Sequence, residues 1–291
     1  MRVKNQKSFL RTVVVFHALL LTFLLVMSNV AHAMQSEWAV SDNVRARLLS
    51  GVKSVGEDTQ IQAALEIDLS EGWHTYWKHA GDSGLPMRFN WEDSQNVKAV
   101  EVSFPVPVRK TELDILTVYA YDGRIILPMT IDLEAANTNT TLDLEIQLMV
   151  CNEICIPDKL DVFLELDSGS GKDAPQLKII DAAKRKIPYK QGESATNTDL
   201  YIDTIVTGAD AIVVNAHMNR GIDDALVIAH TDDFALTTKP QFVPDPNDAS
   251  SVMITVPKPE DIENMMQFLN GKTLTLVLSD GREAVEKSLE F

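Results

Sequence analysis

Cys151 and Cys155 are the only cysteines in a chain of 291 residues, and three residues separate them in Met149-Val150-Cys151-Asn152-Glu153-Ile154-Cys155-Ile156-Pro157. A pair this tight can close one small ring. In the chain-entropy picture such a ring contributes roughly 2 kcal/mol, against ~4–5 kcal/mol for a loop of about a hundred residues. A staple meant for stability would span more chain. The pair suits thiol–disulfide exchange, in which a thiolate attacks a disulfide sulfur through a mixed disulfide. Two other readings stay open at this point. One is a structural staple; the other is a Cu(I) site in which Met149 adds a thioether to the thiolates of Cys151 and Cys155. Two sulfurs in one loop do not make a four-ligand zinc site.

The neighbours of the pair do not favour an acidic thiol. Glu153 and Asp158 oppose a thiolate, Lys159 is the one base close in sequence, and no helix N-terminus is indicated. The expectation is a near-ordinary thiol that works by docking to a partner. Fully extended, four residue steps would hold the two Cα atoms ~13 Å apart, whereas a disulfide needs about 4.4–6.8 Å. Asn152, Glu153 and Ile154 must therefore turn. Pro157 donates no ladder hydrogen bond, which places the following strand at a sheet edge.

The elements that position the pair alternate with period two. Residues 59–69, 96–104, 125–133, 141–150 and 160–166 read as strands. In the fourth, Leu142, Leu144, Ile146, Leu148 and Val150 share one face, and Cys151 falls at its exit. Half-buried strands joined by turn residues imply an all-β fold with an antiparallel sandwich. Ser168-Gly169-Ser170-Gly171 is a break, Asp173 to Ile187 reads as a helix with Asp173 as N-cap, and residues 190–197 read as a polar linker. Strand patterns resume at 200–206, 211–217, 225–230, 251–256 and 272–278, with a Pro-rich loop at 240–248 and a short helix within 260–269. The expected organisation is an export signal at 1–33, a redox domain at 34–168, a helix and linker at 169–198, and a second, smaller β-rich, sandwich-like domain at 199–291.

The signal is read from Arg2, Lys4, Lys7 and Arg11, an apolar stretch from Val13 to Val26, and Ala31-His32-Ala33 as a cleavage site. That stretch is short of the ~20 residues a membrane span needs. Residues 1–33 hold four bases and no acids, so removing them takes the formal charge from −16 to −20. Such acidity disfavours nucleic acid and anionic membranes as partners, because phosphate contacts need clustered Lys and Arg. No stable membrane insertion is expected. No phosphate loop, Ser-His-acid triad or HExxH is visible, so no cofactor is expected.

Aromatics gather in GWHTYWKH, and Tyr119 and Tyr121 share one strand face. Trp73, Tyr76, Trp77, Tyr119 and Tyr121 are therefore candidates for sandwich core or for a docking platform beside the cysteines. His74 and His79 read as polar strand-end residues, and His217 and His230 as surface strand residues. Asn139-Thr140-Thr141 fits a glycosylation sequon that carries no further argument here.

Four motifs follow in order: Gly72-Trp73-His74-Thr75-Tyr76-Trp77; Gly81-Asp82-Ser83-Gly84-Leu85-Pro86 with Trp91; Phe104-Pro105-Val106-Pro107; and Val150-Cys151-Asn152-Glu153-Ile154-Cys155-Ile156-Pro157. Over about residues 38–168 the sequence resembles the N-terminal periplasmic domain of the DsbD family of disulfide reductases, in its ScsB-like branch. The resemblance implies an immunoglobulin-like sandwich in which Cys151 and Cys155 cycle between dithiol and disulfide. It also implies electrons arriving from a membrane thiol transporter and leaving to thioredoxin-like periplasmic proteins, in settings such as cytochrome c assembly or copper tolerance. Full-length members continue into membrane and thioredoxin-like domains that this sequence lacks, so a separate membrane partner is expected as donor. A protein-disulfide reductase component is the leading expectation; the alternative is a docking module for thioredoxin-like or copper-handling proteins without turnover.

Overall fold

The computed structural model describes residues 34–192 and 199–291. The expected export signal at 1–33 and most of the expected linker at 190–197 lie outside the described residues. Eleven strands precede the first described helix: β1 (Ala39–Val40), β2 (Val44–Ser50), β3 (Gln60–Leu69), β4 (His74–Gly81), β5 (Arg88–Asn90), β6 (Val97–Val102), β7 (Val108–Glu112), β8 (Leu116–Asp122), β9 (Arg124–Leu133), β10 (Thr140–Cys151) and β11 (Cys155–Leu166). They form two sheets, one ordered β1-β2-β3-β9-β6 and the other β11-β10-β4-β8-β7, with β5 also pairing β10. Alternation sets the core between them. Leu142, Leu144, Ile146, Leu148 and Val150 of β10 face Ala63, Leu65 and Ile67 of β3 in one apolar cluster. The fold is the expected all-β, immunoglobulin-like sandwich.

The middle of central strand β3 is buried on both faces, so the acid that falls there, Glu66, needs partners. Glu66 is paired with Arg47 at 2.7 Å and Arg124 at 2.5 Å, which compensates a carboxylate that would be costly to bury alone. Helix α1 (Leu177–Lys184) lies over the outer face of this sheet, setting Ile180 against Leu49 and Ala64. It is shorter than the expected helix. Asp173 is not its N-cap: its backbone is held in a bridge to Val52, and Gln176 caps the helix without a side-chain bond.

The second half contains β12 (Tyr189–Lys190), β13 (Leu200–Thr207), β14 (Ala211–Met218), β15 (Leu226–His230), β16 (Gln241–Asp245), β17 (Asp248–Pro257), α2 (Met265–Leu269), β18 (Thr273–Ser279) and β19 (Ala284–Glu290). Two four-stranded sheets, β12-β19-β18-β15 and β13-β14-β17-β16, enclose a second core. The Pro-rich segment 240–248 is not a loop throughout, because residues 241–245 form the edge strand β16 against β17. An edge position tolerates Pro244, which has no N–H to give. Ile228, Ala235 and Val277 of this half belong to the apolar cluster of the first sandwich.

His230 is not a surface residue. It is buried against Trp77 and His79 of β4, with ring centroids at 5.5 Å and 4.5 Å. His217 stacks on Tyr201, centroids 4.9 Å apart.

Candidate functional site

Strands β10 and β11 pair along their full length, from Thr140 opposite Leu166 to Cys151 opposite Cys155. The cysteines thus occupy directly opposed positions at the closed end of a hairpin. Asn152, Glu153 and Ile154 make the turn, in which the Asn152 N–H donates to the Ile154 carbonyl at 3.1 Å. The Cα atoms stand 4.1 Å apart and the sulfurs are bonded. Because the inward residues of β10 are Leu148 and Val150, the disulfide lies on the outer face of the sheet, away from the sandwich core.

The two sulfurs have different surroundings. Cys151 has β11 on one side and His74 of β4 on the other, and is 1% exposed. Cys155 opens the edge strand and is exposed. Over Cys151 lies a small apolar cluster of Tyr76, Ala80, Val118 and Ala120, against which Met149 packs. The Tyr76 hydroxyl is 2.9 Å from Cys151 Sγ, 3.6 Å from Cys155 Sγ and 3.1 Å from Glu112 Oε1. Glu112 Oε1 is also 2.7 Å from His74 Nε2. Burial holds the Tyr76 phenol well above the usual range, reinforced by the charge and hydrogen bond of Glu112 and offset in part by Ser83. The phenol therefore stays protonated and faces the sulfurs as a donor.

The GDSGLP run explains how Tyr76 is held. Gly84 adopts φ +82°, and a Cβ built there would come within 2.1 Å of the Tyr76 ring. A glycine is required at this close approach, and the loop lies directly on the ring. Leu85, next in sequence, is exposed, as are Ile154 beside Cys155 and Leu113 and Ile115 in the turn after Glu112. Ile154 is attached to Cys155, Leu85 to the glycine that lies on Tyr76, and Leu113 to Glu112, which bonds Tyr76, so an apolar rim is carried by residues around the disulfide. A groove of about 540 Å³ continues from it, lined by Leu85, Pro86, Arg88, Met149, Pro157 and Lys159 among others. Lys159 is engaged by Glu145 at 2.6 Å and is no free base beside the sulfurs.

The aromatic platform takes a different form. Tyr76, Trp77, Tyr119 and Tyr121 are buried and offer no face to solvent. Trp77, Tyr119 and Tyr121 pack in the sandwich core, and half-buried Trp73 packs against it. The Tyr119 and Tyr121 hydroxyls donate to the carbonyls of Leu236 and Pro105. Tyr76 alone among the buried four reaches the disulfide. The residues that do present apolar surface, Leu85, Leu113, Ile115 and Ile154, were not singled out by sequence reasoning, nor was Glu112. Only the place of Ile154 inside the Cys pair was available as a signal. Among the described residues no three His, Cys, Asp or Glu side chains converge as metal ligands.

Fold and site together define a β-sandwich protein that displays one hairpin disulfide with a buried and an exposed sulfur. Residues 46–167, which hold both cysteines, match the family model of the thiol:disulfide interchange protein DsbD, N-terminal. The N-terminal periplasmic domain of ScsB from Proteus mirabilis has a similar fold, with a TM-score of 0.63 and 19% identity over 88% of this chain and 97% of that chain. A marsupial T cell receptor covers 86% of this chain and 98% of that one, at 8% identity and a TM-score of 0.24 that carries no weight. No curated protein sequence matches the chain.

Proposed function

We propose that this protein is a periplasmic thiol–disulfide relay, a component of protein-disulfide reduction that carries electrons through Cys151 and Cys155. We read it as two domains, 34–168 and 199–291, joined by residues 169–198. The electron donor is a separate membrane thiol transporter, and the acceptors are thioredoxin-like proteins. The compartment follows from the signal at residues 1–33. It agrees with the periplasmic location of the similar ScsB domain, and no helix among the described residues is long and apolar enough to cross a membrane.

The single observation that carries the reading is the asymmetry of the sulfurs: Cys155 is exposed while Cys151 is buried under Tyr76. A donor thiolate attacks Cys155 Sγ, forming a mixed disulfide as the Cys151–Cys155 bond breaks. Cys151 leaves as a thiolate beneath the Tyr76 hydroxyl and takes a proton from solvent. A second donor thiol, losing its own proton, then displaces Cys155. Two electrons and two protons have entered this protein, and the donor is left with a disulfide. The reverse sequence passes them to an acceptor disulfide, beginning with attack by the Cys155 thiolate.

The test is trapping. Cys151→Ser should accumulate a mixed disulfide between Cys155 and a thioredoxin-like protein whose single reactive cysteine is supplied as its mixed disulfide with thionitrobenzoate, which leaves as the thiolate when Cys155 attacks, while Cys155→Ser should not. Equal trapping by both variants, or by neither, overturns the reading.

A further inference from the structure

One short segment of the second sandwich is hydrogen-bonded to the loop that lies over Tyr76. Leaving β15, the chain folds back so that the Leu236 N–H donates to the Ala229 carbonyl at 2.8 Å. Residues 236 and 237 then lie on the first sandwich. The Tyr119 hydroxyl donates to the Leu236 carbonyl at 2.6 Å, and Arg109 Nη2 donates to the Thr237 carbonyl at 2.7 Å. The Thr237 hydroxyl donates to Asp82 Oδ1 at 2.6 Å.

Asp82 belongs to the loop that covers Tyr76. Its other oxygen, Oδ2, accepts from the Thr117 N–H at 2.8 Å, and its own N–H donates to the Thr117 carbonyl at 2.9 Å. Gly81 beside it holds φ +97° with no room for a Cβ against Thr117. Asp82 is therefore fixed on β8 from one side and tied to the second sandwich from the other. Two residues later, Gly84 presses on the Tyr76 ring, whose hydroxyl sits over the sulfurs.

We propose that Thr237 and Asp82 are positioning residues, through which the second sandwich holds the active-site loop and sets the place of the Tyr76 hydroxyl above Cys151. The inference rests on reading Cys151–Cys155 as an exchange site, and assigns the second sandwich a part in it. The titratable groups facing Cys151 are Tyr76 and His74 of β4, Glu112 at the end of β7 and Cys155 of β11. Releasing the loop loosens the hydroxyl that stabilises the Cys151 thiolate, so that thiol becomes less acidic and its departure slower.

The experiment uses the full chain, with Thr237→Val to remove the donor at nearly constant shape and Thr237→Ser to restore it. Dithiothreitol supplies two electrons and two protons to the disulfide and is itself oxidised to a cyclic disulfide. Loss of one hydrogen bond in the support should slow this reduction by about threefold or more in T237V. It should also raise the midpoint of the Cys151 thiolate absorbance titration, and T237S should recover both. Wild-type rate and titration in T237V, or failure of T237S to recover them, overturns the inference. Should T237V not fold, Asp82→Asn, which sets an amide against the Thr117 N–H or the Thr237 hydroxyl, is read the same way: an unchanged rate and titration overturns the inference. A wild-type disulfide that dithiothreitol cannot open would instead sink the exchange reading itself.

Discussion

The phenol of Tyr76 stands 2.9 Å from Sγ of Cys151 and 3.6 Å from Sγ of Cys155, with Glu112 Oε1 as its competing acceptor at 3.1 Å. One hydroxyl proton faces a carboxylate and the buried half of a disulfide. While the bond is closed, sulfur is a weak acceptor and the carboxylate holds the stronger claim. Once Cys151 is a thiolate, the sulfur becomes a charged acceptor and competes for the same proton. The network is thus suited to respond to the redox state of the pair.

Tyr76→Phe should therefore retain the fold, since the ring still fills its place under Gly84. It should also raise the Cys151 thiol pKa in the reduced protein. Loss of a hydrogen bond to a charged group corresponds to about 1.5–3 kcal/mol, so reduction by dithiothreitol should slow by roughly tenfold or more. Stopped-flow reduction and thiolate absorbance against pH check this. Unchanged rates would remove the phenol from the mechanism.

Gly84→Ala tests the contact from the other side. A Cβ there would overlap the Tyr76 ring at 2.1 Å, and φ +82° is costly for alanine. The ring is buried and cannot swing into solvent, so the loop must lift. Strain of this kind costs on the order of 1–3 kcal/mol. Urea unfolding should show that loss, together with faster alkylation of Cys151 in the reduced protein.

Much of this site could be read from residue types and spacing, and the unread part has physical reasons. The alternation through Leu142, Leu144, Ile146, Leu148 and Val150 placed β10, its inward face and Cys151 at its end, because one face of that strand is solvent-side. Strand β4 gave no such pattern: Tyr76 lies under the GDSGLP loop, His74 against Glu112 and Trp77 in the sandwich core, so both faces are buried. Its aromatics therefore left both sandwich core and a docking platform open. Glu112 arrives from a separate hairpin, which no local spacing announces. Prolines masked β16, and Ala284–Glu290 (AVEKSLE) carries helix-favouring residues but is held as β19 by pairing with β18. Asp173 had the chemistry of an N-cap, but its backbone was already committed to Val52.

The apolar rim separates docking from chemistry. Leu113 and Ile154 are 82% and 65% exposed, and neither supports the core. Leu113→Asp and Ile154→Asp should each leave reduction by dithiothreitol near wild type, because that reagent needs no docking surface. Exchange with a thioredoxin-like protein should slow by roughly tenfold, as expected for losing about 1–2 kcal/mol at an interface anchor. Parallel stopped-flow series with the two reductants measure the ratio. Equal slowing of both would mean that the rim acts on the disulfide itself.

Acid should loosen the seam between the sandwiches. His79 and His230 are in ring contact, and burial lowers their pKa values to about 4 and about 3, with the charge of Lys78 acting in the same direction. Asp232 and Asp233 oppose the shift at His79, and the hydrogen bond to the Thr231 carbonyl opposes it at His230. The unfolded chain takes up these protons near pH 6.5, where a free imidazole titrates, whereas the folded protein resists until about pH 4 and about pH 3. Between those limits the unfolded state binds more protons, so stability falls as pH falls. The stability is complete above about pH 6.5 and is lost progressively down to the folded values. His230→Phe keeps a ring against Trp77 and removes the buried Nε2 nitrogen, which has no hydrogen-bond partner. Urea midpoints at pH 7.5 and pH 4.5 should differ less in this variant than in wild type, by on the order of a kcal/mol or more when converted to free energy. Identical pH dependence in the two proteins would show that the pair does not carry the acid sensitivity.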